Sequence, residues 1–191
     1  MQIDIPQTHD IISLDKDVAR TDRTHEYYQG DNNIHLQLLH DILMTYVTYN
    51  CDLGYVQGMN DLLSPILVIM ENEVDTFWCF LGLMERMEAN FHIDQTHIKR
   101  QLGNLHTLLQ FVDAELANYL VENHSSNMYF FFRWMLISFK REFSFDDVMH
   151  LWEVRRKHFS HFDQTIESIS CRSYGRIIYV EISNYLFVWP S

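Results

Sequence analysis

The sequence predicts an all-α domain, and three observations carry that reading. Apolar residues recur at three- and four-residue intervals in one segment after another. Residues suited to capping a helix N-terminus stand at two of the segment starts. No segment before residue 154 reads as a convincing strand, and consecutive helical patterns without strands argue helix packed on helix. With 191 residues, 47% of them hydrophobic, the chain can bury one sizeable core.

The helices follow in order. From Asn33 to Asn50, Ile34, Leu38, Ile42 and Tyr46 recur every four residues with Leu39 and Leu43 beside them, which makes one helix face. The stretch CDLGYVQG is a turn. A helix is expected over Met59–Met70, with Pro65 kinking it or lying near its first turns. ENEVD reads as a break and restart: Asn72 caps, and Asp75 is favoured by the helix dipole. That next helix holds Phe77, Trp78, Phe80, Leu81 and Met84. One long helix is expected from His97 to Glu122 through Leu102, Leu105, Leu109, Val112, Leu116 and Leu120. An aromatic helix is expected over Met128–Arg141, and Ser144 with Asp147 opens a last one with Val148, Leu151 and Trp152 inward.

After Val154 the character changes. Residues 155–191 hold five Lys/Arg against three Asp/Glu, whereas the whole chain carries 14 against 26. The segment is read as a divergent tail: a strand-like addition, a misfolded appendix or a truncated end. The domain is accordingly placed at residues 1–154.

The formal charge of −12 argues against nucleic acid, which requires a basic patch to neutralise phosphates. It offers no polybasic attraction to anionic lipid. It suits a soluble protein, or one that steers toward a positively charged partner surface. Three cysteines, Cys51, Cys79 and Cys171, are odd in number and far apart, which fits a reducing cytosol better than a disulfide framework. The start MQIDIPQTHD lacks the regions of a signal peptide, and MYFFFRWMLISF is too short and too interrupted by Arg133 to span a bilayer. The expectation is a cytoplasmic protein without membrane insertion.

Eleven histidines invite a metal reading, but none stands in an H-E-x-x-H or C-x-x-C frame. No local signature marks a catalytic cysteine, and neither glycine-rich nucleotide motif is present. The run YFFFRWMLISF places Phe132, Met135, Leu136 and Phe139 at helical spacing, which reads as core packing before it reads as a ligand box.

Two stretches remain. In LDKDVARTDR, Asp17 and Arg20 are three apart, so on a helix the carboxylate could hold the guanidinium. Taken alone, such pairs are mostly solvated and contribute little. In GYVQGMN, Gly54 and Gly58 allow tight backbone turns on either side of Gln57, though a loop glutamine is usually ordinary surface.

Together, Leu14-x-x-Asp17-x-x-Arg20-Thr21 and Tyr55-x-Gln57-Gly58-Met59-Asn60 resemble the TBC domain of Rab GTPase-activating proteins, marked by I-x-x-D-x-x-R and Y-x-Q-G-M-N. DLLSPIL, ENEVDTFWCF and FRWMLISFKREFSFDDVMHLWEV extend the similarity in the same order, from Leu14 to Val154. The resemblance implies the all-α TBC fold and a partner, a Rab-family small GTPase in its GTP state. It implies Arg20 as an arginine finger and Gln57 as a glutamine finger, both supplied in trans. Asp17 would orient Arg20, Tyr55 would anchor the Gln57 loop, Gly58 would let it turn, and Thr21 and Asn60 would support the site or touch the partner. No cofactor is implied for the chain itself, since GTP and Mg²⁺ belong to the partner, which would also bring it to endomembranes.

Leu14 stands where the family more often has isoleucine, a volume-conserving exchange. The family's R-x-x-x-W pattern before the arginine stretch and its helices after LWEV have no counterpart here, so the chain is read as a TBC core lacking both flanks. That leaves an alternative, a truncated, non-catalytic relative that binds a small GTPase or acts as a scaffold. A helical adaptor unrelated to GTPases is the third class.

Overall fold

The computed structural model describes residues 8–159, and side chains over 11–153. The described residues are helical and connected by turns, with no strand among them, as the periodicity predicts. The residues expected to form a tail lie outside the described part, apart from the end of the last helix.

Two compact units divide the chain. One runs up to Gln95 and takes in Trp134–Phe145; the other holds Thr96–Arg133 and continues from Asp146. The first unit packs α1 (Thr8–Arg20), α2 (Ile34–Tyr49), α3 (Met59–Met70) and α4 (Glu73–Met87) on one another. Its core is built by Leu14, Tyr28, Leu39, Leu43, Tyr46, Met59, Leu62, Leu63 and Phe80, all fully buried. Each such apolar side chain contributes about 1.5–3 kcal/mol by leaving water. Tyr46 and Phe80 meet edge to face at 5.1 Å between ring centres, tying α2 to α4.

Helix α2 is capped by Asn33, whose side chain accepts the His35 N–H. Its inward face is rotated from the expected one. Leu39, Ile42, Leu43, Tyr46 and Val47 are buried, while Ile34 is exposed and Leu38 only half-buried. Helix α3 matches its expected span, and Pro65 lies within it. Asn72 caps α4 by accepting the Asp75 N–H. In α4 the core side is Thr76, Phe80, Met84 and Met87, and Trp78 faces outward.

In the second unit, the single helix expected over His97–Glu122 is two helices. Helix α5 (Thr96–Val112) stops and α6 (Ala114–Glu122) restarts, because Asp113 leaves helical dihedrals (φ −147°, ψ 82°) to accept the Leu116 N–H. Leu116 is exposed as a result, and Ala117 is the buried residue of α6. The aromatic helix expected over Met128–Arg141 is also corrected. A 3₁₀ turn at Tyr129–Phe131 leads into a short α7 (Phe132–Leu136), and the chain then turns through Ser138 and Phe139, both left-handed (φ 49° and 64°). Of the four residues expected to pack, Met135 and Phe139 are buried and Phe132 and Leu136 are half-buried, so the apolar reading of this run holds in part although its helix does not. The last helix, α8 (Phe145–Phe159), starts just after Ser144 and buries Val148, with Leu151 and Trp152 half-buried.

Candidate functional site

The site lies in the first unit, where the C-terminal end of α1 meets the start of α3. Leu14, Asp17, Val18 and Thr21 follow the i, i+3, i+4, i+7 pattern of an inward helix face and are all buried. An acid on a buried face requires partners, and Asp17 has them. One carboxylate oxygen accepts from Arg20, from Nε at 3.1 Å and from Nη2 at 2.6 Å. The other accepts from the Tyr55 hydroxyl at 2.8 Å. Asp17 is thereby sequestered, while 58% of the Arg20 side chain is exposed. The guanidinium stands at the surface with its carboxylate beneath it, and Nη1 makes no hydrogen bond among the described residues.

Asn60 closes the arrangement. Its Nδ2 donates to Thr21 Oγ1 at 2.9 Å, and Thr21 donates onward to the Asp17 carbonyl at 2.7 Å. Its Oδ1 accepts the Gly58 N–H at 3.3 Å and lies 3.1 Å from the Tyr55 oxygen. Tyr55 has one proton to give, and the arginine-paired carboxylate is the stronger acceptor. Burial, followed by the hydrogen bond to Asp17 and its charge, pushes the Tyr55 phenol well above its ordinary value, so it remains a donor.

Gln57 sits in the turn before α3 and is exposed, with no side-chain hydrogen bond among the described residues. Its flanking glycines are both left-handed, Gly54 at φ 66° and Gly58 at φ 107°. At Gly58 the demand is double, since an added Cβ would lie 2.8 Å from Ile137 Cγ2. The loop therefore turns tightly with the amide outside and Tyr55 inside.

An open cleft of about 680 Å³ adjoins Arg20, lined also by Asp22, Arg23, Asp61, Lys140 and Arg141 among others. Gln57 is not part of its lining. Beneath it lies a second layer that the sequence reading missed. Asp22 accepts from Lys140 Nζ at 2.7 Å and from the Ser64 hydroxyl. Asp61 faces Arg141 with both oxygens, Nε at 3.0 Å and Nη2 at 2.9 Å. Burial pushes the Asp61 carboxyl above its ordinary value, and Arg141 opposes that rise. Asn60, Asp61 and Ser64 line one side of α3. The available signal was the pair of cations in FKREF, at the end of an otherwise aromatic run.

Of the expected site residues, Asp17, Arg20, Thr21, Tyr55, Gly58 and Asn60 thus form one continuous hydrogen-bonded set, and Gln57 projects from it without joining it. Among the described residues no group of three or more His, Cys, Asp or Glu is placed to hold a metal, and no helix is long and apolar enough to cross a membrane.

A helical fold with this pair of stretches defines a class. The Rab-GTPase-TBC domain model matches residues 2–172, and the chain belongs to that family. TBC1 domain family member 17 of Mus musculus is 56% identical over 141 residues, 74% of this chain and 22% of that protein. The GTPase-activating protein gyp7 of Schizosaccharomyces pombe is 42% identical over 166 residues, 80% of this chain and 22% of that protein. GYP7 of Saccharomyces cerevisiae is 49% identical over 135 residues, 71% of this chain and 18% of that protein. The chain thus spans about a fifth of the length of these relatives. The crystal structure of the Ypt/Rab-GAP domain of Gyp1p superposes with a TM-score of 0.71 at 24% identity, over 95% of this chain and 63% of that one, a likeness of fold.

Proposed function

We propose that the chain is a GTPase-activating domain for a Rab-type small GTPase in its GTP state, and that it acts by presenting Arg20 and Gln57 to the partner's active site. The observation that carries the reading is the disposition of Arg20: an exposed guanidinium held from below by a buried, doubly engaged carboxylate. Membership in the TBC family and the similarity to the GTPase-activating proteins gyp7 and GYP7 support the same class of activity.

Phosphoryl transfer to water needs little covalent help from a protein; it needs positioning and neutralisation of developing charge. GTP and its Mg²⁺ are carried by the partner. Arg20 inserts a cation whose planar fork can meet two phosphate oxygens at once. Nη1 and the second proton on Nη2 are uncommitted to Asp17, so the fork keeps donors to offer. Holding Arg20 beforehand removes part of the ordering cost of the encounter. Gln57 supplies an amide that orients the attacking water. A trans arginine finger is worth about 10³–10⁵ in rate, or about 4–7 kcal/mol of barrier. The chain works in the cytoplasm and meets endomembranes through its lipid-anchored partner.

The test is single-turnover hydrolysis by a panel of GTP-loaded Rab proteins with the chain, its Arg20→Ala and Gln57→Ala variants, and buffer alone. Acceleration of at least one Rab, lost in both variants, is the expected result. A folded chain that binds Rabs but accelerates none would replace this reading with that of a non-catalytic binding module.

A further inference from the structure

Helix α1 ends at Arg20, so the direction of the guanidinium depends on how the chain leaves that helix. Two residues on, Asp22 is left-handed (φ 43°), and its carboxylate is taken by the Ser64 hydroxyl from α3 and by the Lys140 ammonium at 2.7 Å. Lys140 is unusual for a lysine: 4% of its side chain is exposed, and its ammonium also lies 4.7 Å over the Phe145 ring. It reaches this place because Ser138 and Phe139, both buried and neither a glycine, adopt consecutive left-handed conformations, which are unfavourable for L-residues. The same short segment puts Ile137 against Gly58, the residue after Gln57, and sets Arg141 on Asp61 of α3. One turn therefore braces the exit of the Arg20 helix and the base of the Gln57 loop.

We infer that Lys140 is a positioning residue for the arginine finger, acting through Asp22. This rests on the GTPase-activating reading and adds to it a third element, from a part of the chain that neither motif covers. A buried apolar residue would fill the space as well or better for stability alone. A directed ion pair fixes the carboxylate of Asp22, and with it the last turn of α1, in one orientation. Thr21, between Arg20 and Asp22, is already held by Asn60 and the Asp17 carbonyl, so the Lys140 contact completes the clamp on three successive residues.

The test uses Lys140→Met and the neutralised pair Asp22→Asn with Lys140→Met, which leaves no unpaired buried charge if the single variant does not fold. Two readouts are taken: kcat and KM on the most responsive GTP-loaded Rab, and the NMR order of the Arg20 Nε–H. Expected is a fall in kcat of about 10- to 100-fold, the scale of an ångström-level misplacement, with KM held within about threefold. A folded variant with unchanged kcat, or one whose loss is entirely in KM, overturns the proposal. Should the unaltered chain accelerate no Rab, the parent reading fails, and the NMR arm decides this one by itself. Increased mobility of the Arg20 Nε–H in the variants supports it, and unchanged order overturns it.

Discussion

Tyr55 and Asp17, 38 residues apart in sequence, meet through a buried hydrogen bond of 2.8 Å that joins the arginine stretch to the glutamine turn. Both residues are nearly fully buried, and through Asp17 the pair holds the exposed Arg20 side chain. In Tyr55→Phe, Asp17 loses a donor inside the protein. Leaving a buried acceptor unpaired costs about 1–3 kcal/mol, so urea unfolding is expected to show a loss in that range. Hydrolysis is expected to drop by about tenfold or more through loosened placement of Arg20. A variant with unchanged stability would show that the hydroxyl is dispensable.

Gly58→Ala is expected to destabilise by about 1–3 kcal/mol, because φ 107° is unfavourable for alanine and its Cβ would meet Ile137 at 2.8 Å. The two causes separate in a double variant. Ile137→Ala added to Gly58→Ala relieves the contact and leaves the dihedral strain, so it recovers only the steric part of the loss after correction for the cavity made by Ile137→Ala alone.

Arg20→Lys distinguishes charge from shape. The ammonium can still pair with Asp17, and an exposed position tolerates the exchange, so thermal unfolding is expected to be unchanged. A point charge lacks the bidentate fork, and single-turnover hydrolysis is expected to fall by at least about 100-fold, within the range carried by an arginine finger. Near-normal turnover would mean that positive charge suffices.

Asp61 makes a pH prediction. Burial raises its folded-state value above 3.8, with Arg141 opposing. The folded chain therefore holds that proton more tightly than the unfolded chain does. Its contribution is fully present below the unfolded value and is lost as pH rises through the raised folded value. Thermal midpoints of the unaltered chain and of Asp61→Asn, compared as pH falls from neutrality toward the unfolded value, are expected to diverge in favour of the unaltered chain on acidification. A constant difference would mean that Arg141 cancels the effect of burial.

Asp113→Ala removes the cap that restarts the chain as α6, at an expected cost of about 0.5–2 kcal/mol by thermal unfolding.

How much was legible follows from which signals are local. The cap at Asn72 and the span of α3 depend on residues within a turn of one another, and they read correctly. So did the Asp17–Arg20 pair, set by helical spacing alone. The break at Asp113 was missed because a continuous apolar period masked a residue whose side chain competes with the helix for a backbone donor. The aromatic run failed differently: its burial was readable, but the left-handed turn at Ser138 and Phe139 is imposed by tertiary contacts. The pairing of Asp22 with Ser64 and Lys140, and of Asp61 with Arg141, could not be read for the same reason: the cations of FKREF stand out in sequence, but their partners are fixed only once distant segments pack. The family motifs gave the site its names in advance, while the joining of Asp17, Tyr55, Asn60 and Thr21 into one buried set is a property of the folded chain.

Lys140 reaches Asp22 across 118 residues. On a ribosome, α1 and its arginine emerge long before the lysine that braces them, and a domain generally folds as a unit. Throughout that interval the cation that Asp22 meets in the folded chain is still to come. A messenger that stops or is spliced before residue 140 would thus encode both signature stretches intact and still deliver an unbraced arginine.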